Sequence, residues 1–98
     1  MIELDDDGYP TDETLEYISK WMPKNNDNSF IPLLEEVAPL FHYGRCERRD
    51  VDGAWEVTTG GWSGCESVIY ALKENTMFWL TTWYMSKRGG YYEFRSMR

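Results

Sequence analysis

The chain has 98 residues, which suits one domain and leaves no room for two. Its composition, 42% hydrophobic and 16% aromatic, supplies enough apolar area for a core and excludes a disordered chain. The net charge of −7 is concentrated in residues 1–36, which hold ten acidic residues against two lysines. Because phosphate backbones attract basic surfaces, this charge argues against nucleic acid as the main partner.

Cysteine content and hydropathy indicate the compartment. The two cysteines, Cys46 and Cys65, are fewer than a disulfide-stapled secreted domain of this size usually carries. No basic segment followed by an apolar run marks a secretory signal at the amino end. No apolar run approaches the ~20 residues that span a bilayer. We therefore expect a cytoplasmic protein with reduced thiols and no membrane association.

Two helices are predicted in the first half of the chain. The acidic start, residues 1–10, is expected to be flexible and leads to Thr11, whose side chain can cap a helix that Pro23 ends. A second helix, capped by Asn28 or Ser29, carries apolar residues at helical spacing. Both helices are therefore expected to bury one face.

The second half begins with a predicted hairpin and a predicted helix. Asp52-Gly53 is a hairpin turn signal that pairs Arg45–Arg49 with Ala54–Thr59. Ser63 to Glu66 matches the capping box, in which the first and last side chains each bond a backbone N–H at a helix start. A helix is therefore expected from Ser63 onwards.

The most apolar run of the chain follows this helix. Asn75 is predicted to end the helix in a left-handed conformation, and Thr76–Met85 is predicted to be a strand. Since the strand is apolar on both faces, with Trp79 and Trp83 on one of them, we expect it at the centre of a sheet. The turn Lys87–Gly90 then leads into the last strand.

The element order is therefore α-α-β-β-α-β-β. This order predicts an α+β domain over residues 1–98, with a small, mainly antiparallel sheet of about four strands and helices on one face.

Two stretches of the chain carry a resemblance that covers most of it. One begins at Gly8-Tyr9-Pro10-Thr11, and the other contains Thr59-Gly60-Gly61-Trp62-Ser63-Gly64-x-Glu66 and Ser86-Lys87-Arg88-Gly89-Gly90. Together they resemble a group of small uncharacterised proteins encoded by bacteriophages and prophages. This chain departs at Cys65, where members often have Asn, and at Lys87, where they often have a second Arg. The resemblance implies a phage-related source, a cytoplasmic host setting and an accessory role, and it transfers no function.

The glycine-rich turn Gly60–Gly64 is the first candidate site. Such a turn at a helix start exposes backbone N–H groups and the positive end of the helix dipole, which can hold an anion. The residues expected around a nucleotide-like anion are Gly61, Trp62, Ser63, Gly64, Arg88 and Tyr91, with Lys87, Arg95 or Tyr92 as substitutes. In the alternative interpretation the glycines only allow the turn, because the chain lacks the lysine-serine ending of a phosphate loop.

The acidic front half is the second candidate. It could steer onto a basic site of another protein by charge complementarity, and the resemblance makes a host protein the expected partner. The carboxylates of this predicted surface are Asp5, Asp6, Asp7, Asp12, Glu13 and Glu16. A solvated face that keeps the protein soluble is the alternative.

Catalytic and metal sites find little support in the sequence. Cys65 sits near a predicted helix start, where a thiolate is favoured, and His42 could act as its base, but no triad-like order accompanies the pair. Zinc requires about four ligands, and His42, Cys46 and Cys65 are three at most. We therefore predict a non-enzymatic protein without metal or cofactor. It would bind a host protein through an acidic, aromatic surface or, alternatively, hold a small anionic ligand at Gly60–Gly64.

Overall fold

A computed structural model describes residues 2–24 and 29–95 and has the α+β class that the sequence predicts. The helices are Asp12–Lys20 (α1), Ile31–Val37 (α2), Ser63–Glu74 (α3) and Thr76–Thr82 (α4), and a single 3-10 turn, Ala38–Leu40, follows α2. The strands are Arg45–Arg48 (β1), Trp55–Thr58 (β2), Trp83–Lys87 (β3) and Tyr91–Phe94 (β4). The predicted order is confirmed, and α4 is an addition to it.

The four strands form one antiparallel sheet in the order β1-β2-β4-β3. The hairpin between β1 and β2 turns at Asp52-Gly53 as predicted, and Gly53 has a φ of 73°, which favours glycine. The central strands are therefore β2 and β4, and the edges are β1 and β3.

Helices cover one face of this sheet. From the central strands, Trp55, Val57 and Phe94 point to that face and join the apolar residues of all four helices in a single core. Their neighbours Glu56 and Glu93 lie opposite each other on the outer face, where arginines bind them. The predicted arrangement of helices on one face of the sheet follows from this division.

Hydrogen bonds fasten the acidic start of the chain to α1. Thr11 caps α1 as predicted, since its side chain accepts from the N–H of Thr14. The hydroxyl of Thr14 in turn accepts from the N–H of Glu3 at 2.6 Å and donates to the carbonyl of Glu3 at 2.9 Å. Leu4 and Pro10 form a β-bridge. Residues 3–10 therefore lie against the start of α1.

The start of α2 differs slightly from the prediction. Ser29 Oγ accepts from the N–H of Ile31 at 3.1 Å, but the cap position belongs to Phe30, whose ring is buried. Asn28, the other predicted cap, lies outside the described residues.

The predicted strand Thr76–Met85 is wrong over its first seven residues, which form α4. Asn75 is not left-handed, because its φ is −80°. Its Oδ1 accepts from the N–H of Phe78 at 3.1 Å and so caps α4. Its amide nitrogen donates to the carbonyls of Ile18 and Trp21, at 3.0 and 2.8 Å. One buried side chain thus starts a new helix and ties it to α1.

The shortened strand β3 lies at an edge of the sheet and not at its centre. Trp79 belongs to α4, where it is half-buried and stacks on Trp83 with ring centroids 6.3 Å apart. The indole of Trp83 is 43% exposed. The aromatic rings at the centre of this region are instead Phe78 and Phe94, both fully buried and 5.1 Å apart.

Candidate functional site

Two glycines with positive φ carry the chain from β2 into α3. Gly60 has a φ of 63° and Gly61 a φ of 77°. A Cβ on Gly60 would lie 2.2 Å from the carbonyl oxygen of Tyr43, so only glycine fits there. The N–H groups of Gly61 and Trp62 donate to the side chain and carbonyl of Thr59, at 3.3 and 3.1 Å. Two N–H groups of this turn are therefore used by the turn itself.

The predicted capping box is wrong. The helix α3 begins at Ser63, and the cap position is Trp62, which has an extended backbone and makes no side-chain cap. Ser63 Oγ donates instead to the hydroxyl of Tyr9 at 3.2 Å, and the N–H of Glu66 donates to the carbonyl of Trp62. Because Trp62 is already extended after the two glycines, it occupies the position that the motif assigns to Ser63.

The indole of Trp62 is the centre of an aromatic cluster. Its ring centroid lies 4.8 Å from that of His42 and 4.9 Å from those of Tyr9 and Tyr43. The ring also lies directly on Gly64, where a Cβ would come within 2.3 Å of it. Tyr43 is 65% exposed and forms the outer side of the cluster. We call Trp62, His42, Tyr9 and Tyr43 the Trp62 cluster.

An acidic loop borders the Trp62 cluster. Asp5 Oδ1 accepts from the N–H groups of Asp7 and Tyr9, at 2.9 Å each, which closes the turn that places Tyr9. The carboxylates of Asp6 and Asp7 are exposed and bond no described residue. Asp5 is therefore structural, whereas Asp6 and Asp7 present free charge.

An open depression lies between the acidic loop and the rings. Its volume is about 500 Å³, and its lining residues are Asp7, Tyr43, Gly60, Gly61 and Trp62. We call it the Trp62 depression.

The remaining predicted acids lie on α1 and do not line this depression. Asp12 and Glu13 are exposed in the first turn of α1. Glu16 is exposed as well and forms an ion pair with Lys20 at 2.8 Å. They add negative charge to the same half of the chain without joining the aromatic rings.

Arg88 and Tyr91, predicted to complete an anion site, do not line the Trp62 depression. Arg88 is exposed in the turn between β3 and β4 and has no hydrogen bond or ion pair with any described residue. The hydroxyl of Tyr91 donates to Glu93 Oε1 at 3.2 Å on the outer face of the sheet. The structure therefore groups Gly61 and Trp62, with Ser63 and Gly64 next to them, but adds neither Arg88 nor Tyr91 to the depression.

The outer face of the sheet carries an ion network that the sequence pattern did not indicate. Arg49 binds Glu56, Asp52 and Glu93, at 2.6, 2.8 and 3.1 Å, and Arg95 binds Glu93 at 2.7 Å. Burial raises the pKa of Glu93, but hydrogen bonds from Arg95 and Tyr91 and the charges of both arginines outweigh it and lower the pKa. The hydrogen bond from Arg49 lowers the pKa of Asp52 to about 2. This constellation consists of satisfied pairs, which suits a structural role.

Both thiols are free and unsuited to nucleophilic chemistry. Burial raises the pKa of Cys46 to about 12, and burial also raises the pKa of Cys65. The sulfur of Cys65 faces the carbonyl of Leu40, whereas the imidazole of His42 lies 3.4 Å from the carbonyl of Gly8. Within the described ranges, no three His, Cys, Asp or Glu side chains are placed to hold a metal ion.

Comparison of the chain with protein-family models, with curated proteins and with solved structures finds no match. Across residues 2–24 and 29–95, no helix has the length and apolar composition needed to cross a membrane. The geometry of the Trp62 depression therefore carries the functional argument.

Proposed function

We propose that this protein is a non-enzymatic accessory protein of phage or prophage type that binds a basic segment of a host protein in the host cytoplasm. The observation that carries the proposal is the Trp62 depression, which Asp7 lines together with Tyr43 and Trp62. The resemblance supports the phage source and the host setting.

An arginine side chain suits this depression chemically. A guanidinium over an aromatic face gains ~0.5–1 kcal/mol at an exposed site and ~2 kcal/mol when it is desolvated. A carboxylate beside the ring can accept its N–H groups in a charge-assisted pair. Gly61 has open space where a side chain would otherwise stand, which leaves room for the incoming group. The net charge of −7 would in addition speed the approach of a basic partner.

A small anionic or nucleotide-like ligand at Gly60–Gly64 is the competing proposal. The positive-φ turn that leads into α3 supports it. Three observations weigh against it: two N–H groups of the turn already have partners, Asp7 lines the depression, and Arg88 does not. Because a carboxylate repels an anion, the depression favours a cationic occupant.

The test is a titration with a short arginine-glycine peptide and, separately, with a glutamate-glycine peptide of equal length. Binding is followed by NMR on the Trp62 indole and the glycine amides. We expect the arginine peptide alone to shift these signals. Asp7→Asn and Tyr43→Ala should each weaken binding by about fivefold, which corresponds to ~1 kcal/mol.

Tyr70→Ala provides the matched control. Tyr70 is 71% exposed on α3 and does not line the Trp62 depression, so its removal should leave the affinity unchanged. Shifts confined to other parts of the chain, or equal losses in Tyr70→Ala and Tyr43→Ala, would contradict the proposal. Shifts with the glutamate peptide or with inorganic phosphate would favour the anionic ligand instead.

A further inference from the structure

A cleft between α3 and the sheet shares no lining residue with the Trp62 depression. Its volume is about 380 Å³, which falls in the range of small-molecule sites. The residues around it include Glu66, Tyr70 and Lys73 from α3 and Thr59, Gly90 and Tyr92 from the sheet side. We call it the α3 cleft.

The helix α3 places two opposite charges along this cleft. Glu66 lies in the first turn of α3 and Lys73 in the last, seven residues further along. Seven residues are close to two full turns, so both side chains leave the same side of the helix. With a rise of ~1.5 Å per residue, they start ~10 Å apart along the helix axis. The α3 cleft therefore has a negative end and a positive end.

Two aromatic rings position the ammonium group at the positive end. The Nζ of Lys73 lies 5.8 Å from the ring centre of Tyr92 and 5.5 Å from that of Trp79. Such cation–π contacts orient an ammonium group without neutralising its charge. Lys73 makes no ion pair with any described residue. Its charge therefore remains available to a carboxylate.

The carboxylate at the negative end is equally available. Glu66 is exposed, and its carboxylate forms no hydrogen bond or ion pair with the described part of the chain. Glu16 and Lys20, which are four residues apart on α1, neutralise each other at 2.8 Å. Glu66 and Lys73 are spaced too widely for such a pair. A ligand that carries both charges can instead pair with each of them.

We propose that the α3 cleft binds a short peptide with two free termini, with its α-ammonium group at Glu66 and its terminal carboxylate at Lys73. An extended chain spans ~3.3–3.6 Å per residue, so three residues cover the ~10 Å between the two ends. A single amino acid is too short to reach both charges. A simple anion would pair with Lys73 alone and would be repelled by Glu66. The proposal does not depend on the function proposed for the Trp62 depression.

The test is an NMR titration of the full chain with triglycine, followed at Ile69 and Tyr92, which both line the α3 cleft. Saturable binding in the millimolar range is expected, because exposed ion pairs are weak. N-acetyl-triglycine and triglycinamide each lack one terminal charge and should each bind about fivefold more weakly. Glycine and inorganic phosphate should also bind more weakly than triglycine, because neither reaches both ends of the cleft.

Two variants separate the two ends of the cleft. Glu66→Gln should no longer prefer triglycine over N-acetyl-triglycine, but it should still prefer triglycine over triglycinamide. Lys73→Met, which keeps an unbranched side chain, should show the reverse preferences. Because each variant must keep one of the two preferences, a loss of fold cannot imitate this pattern.

Glu74→Gln is the matched control. It removes the same charge from an exposed residue of α3 that does not line the α3 cleft, so its affinity for triglycine should match that of the wild type. Equal losses in Glu66→Gln and Glu74→Gln would overturn the proposal, because the effect would then follow net charge. Absence of saturable triglycine binding to the wild type, equal affinities for free and blocked peptides, or phosphate binding as tight as that of triglycine would overturn it too.

Discussion

The two exposed aromatic regions of this protein differ in the charges around their rings. In the Trp62 depression the neighbouring charge is the carboxylate of Asp7, and no cation of the described chain lies over a ring of the Trp62 cluster. Around α4 and β3, by contrast, Lys73 lies 5.5 Å from the ring centre of Trp79 and Arg95 lies 4.0 Å from that of Tyr84. Among the described residues, the first region has no cation over its rings, so a partner could supply one. The second region already has cations over its rings, and it exposes apolar side chains and the backbone of an edge strand.

The largest expected effect tests whether α4 is a helix with one buried side. Phe78→Ala should lower the free energy of unfolding by ~3–5 kcal/mol, because the ring is fully buried against Phe94. Leu80→Ala should stay within about 0.5 kcal/mol, because that side chain is 76% exposed. Denaturant unfolding of both variants measures this. Comparable losses would indicate the strand that the sequence predicts, since in a strand residues 78 and 80 share a face.

The error at α4 shows what the sequence could not supply. In Thr76–Met85 apolar residues occupy both faces, a pattern shared by buried strands and short buried helices. Asn75 decides for the helix, because its buried amide bonds the end of α1, more than fifty positions earlier in the chain. That contact depends on tertiary packing. The hairpin at Asp52-Gly53 and the cap at Thr11 were predictable because each depends on neighbours within a few residues.

The candidate site shows the same difference between features set by near neighbours in the chain and features set by tertiary packing. The glycine turn was predictable, since positive φ at Gly60 and Gly61 is a local requirement. Its surroundings were not, because Tyr9 and Tyr43 reach Trp62 from distant parts of the chain. For the same reason the sequence could not show that Arg88 is absent from the lining of the depression.

Acid is expected to destabilise the fold, and with it both regions, through the ion network on the outer face of the sheet. The pKa values of Glu93 and Asp52 are lowered in the folded protein, the latter from 3.8 to about 2. A carboxylate with a lowered pKa stabilises the fold above its ordinary pKa and loses this effect as pH falls through the folded value. The melting temperature should therefore fall between pH 4.5, the ordinary value of Glu93, and about pH 2.

Glu93→Gln isolates the contribution of the ion network to this acid sensitivity. It should melt below the wild type at pH 7, because a neutral amide leaves Arg49 and Arg95 less well paired. Its melting temperature should also change less between pH 4.5 and pH 2, because the titrating group is absent. Parallel curves for the two proteins would assign the acid sensitivity to other carboxylates.

Salt should weaken the proposed contact at the Trp62 depression. Binding of a basic peptide there should weaken several-fold between low and high salt, because screening removes the attraction of Asp6 and Asp7. Peptide titration at a series of salt concentrations measures this change. An affinity that stays constant across the series would mean that charge does not contribute to the contact.

The smallest expected effect separates the cationic occupant from the anionic one. Arg88→Ala should leave the free energy of unfolding within about 0.5 kcal/mol of the wild type, because Arg88 is exposed and bonds no described residue. If an anion sat at the start of α3 with Arg88 as its counter-charge, phosphate or a nucleotide would raise the melting temperature of the wild type and not of Arg88→Ala. With Asp7 lining the depression and Arg88 outside it, we expect neither protein to respond. A selective rise in the wild type would require Arg88 to reach the Gly60–Gly64 turn, and the cationic occupant would then lose its support.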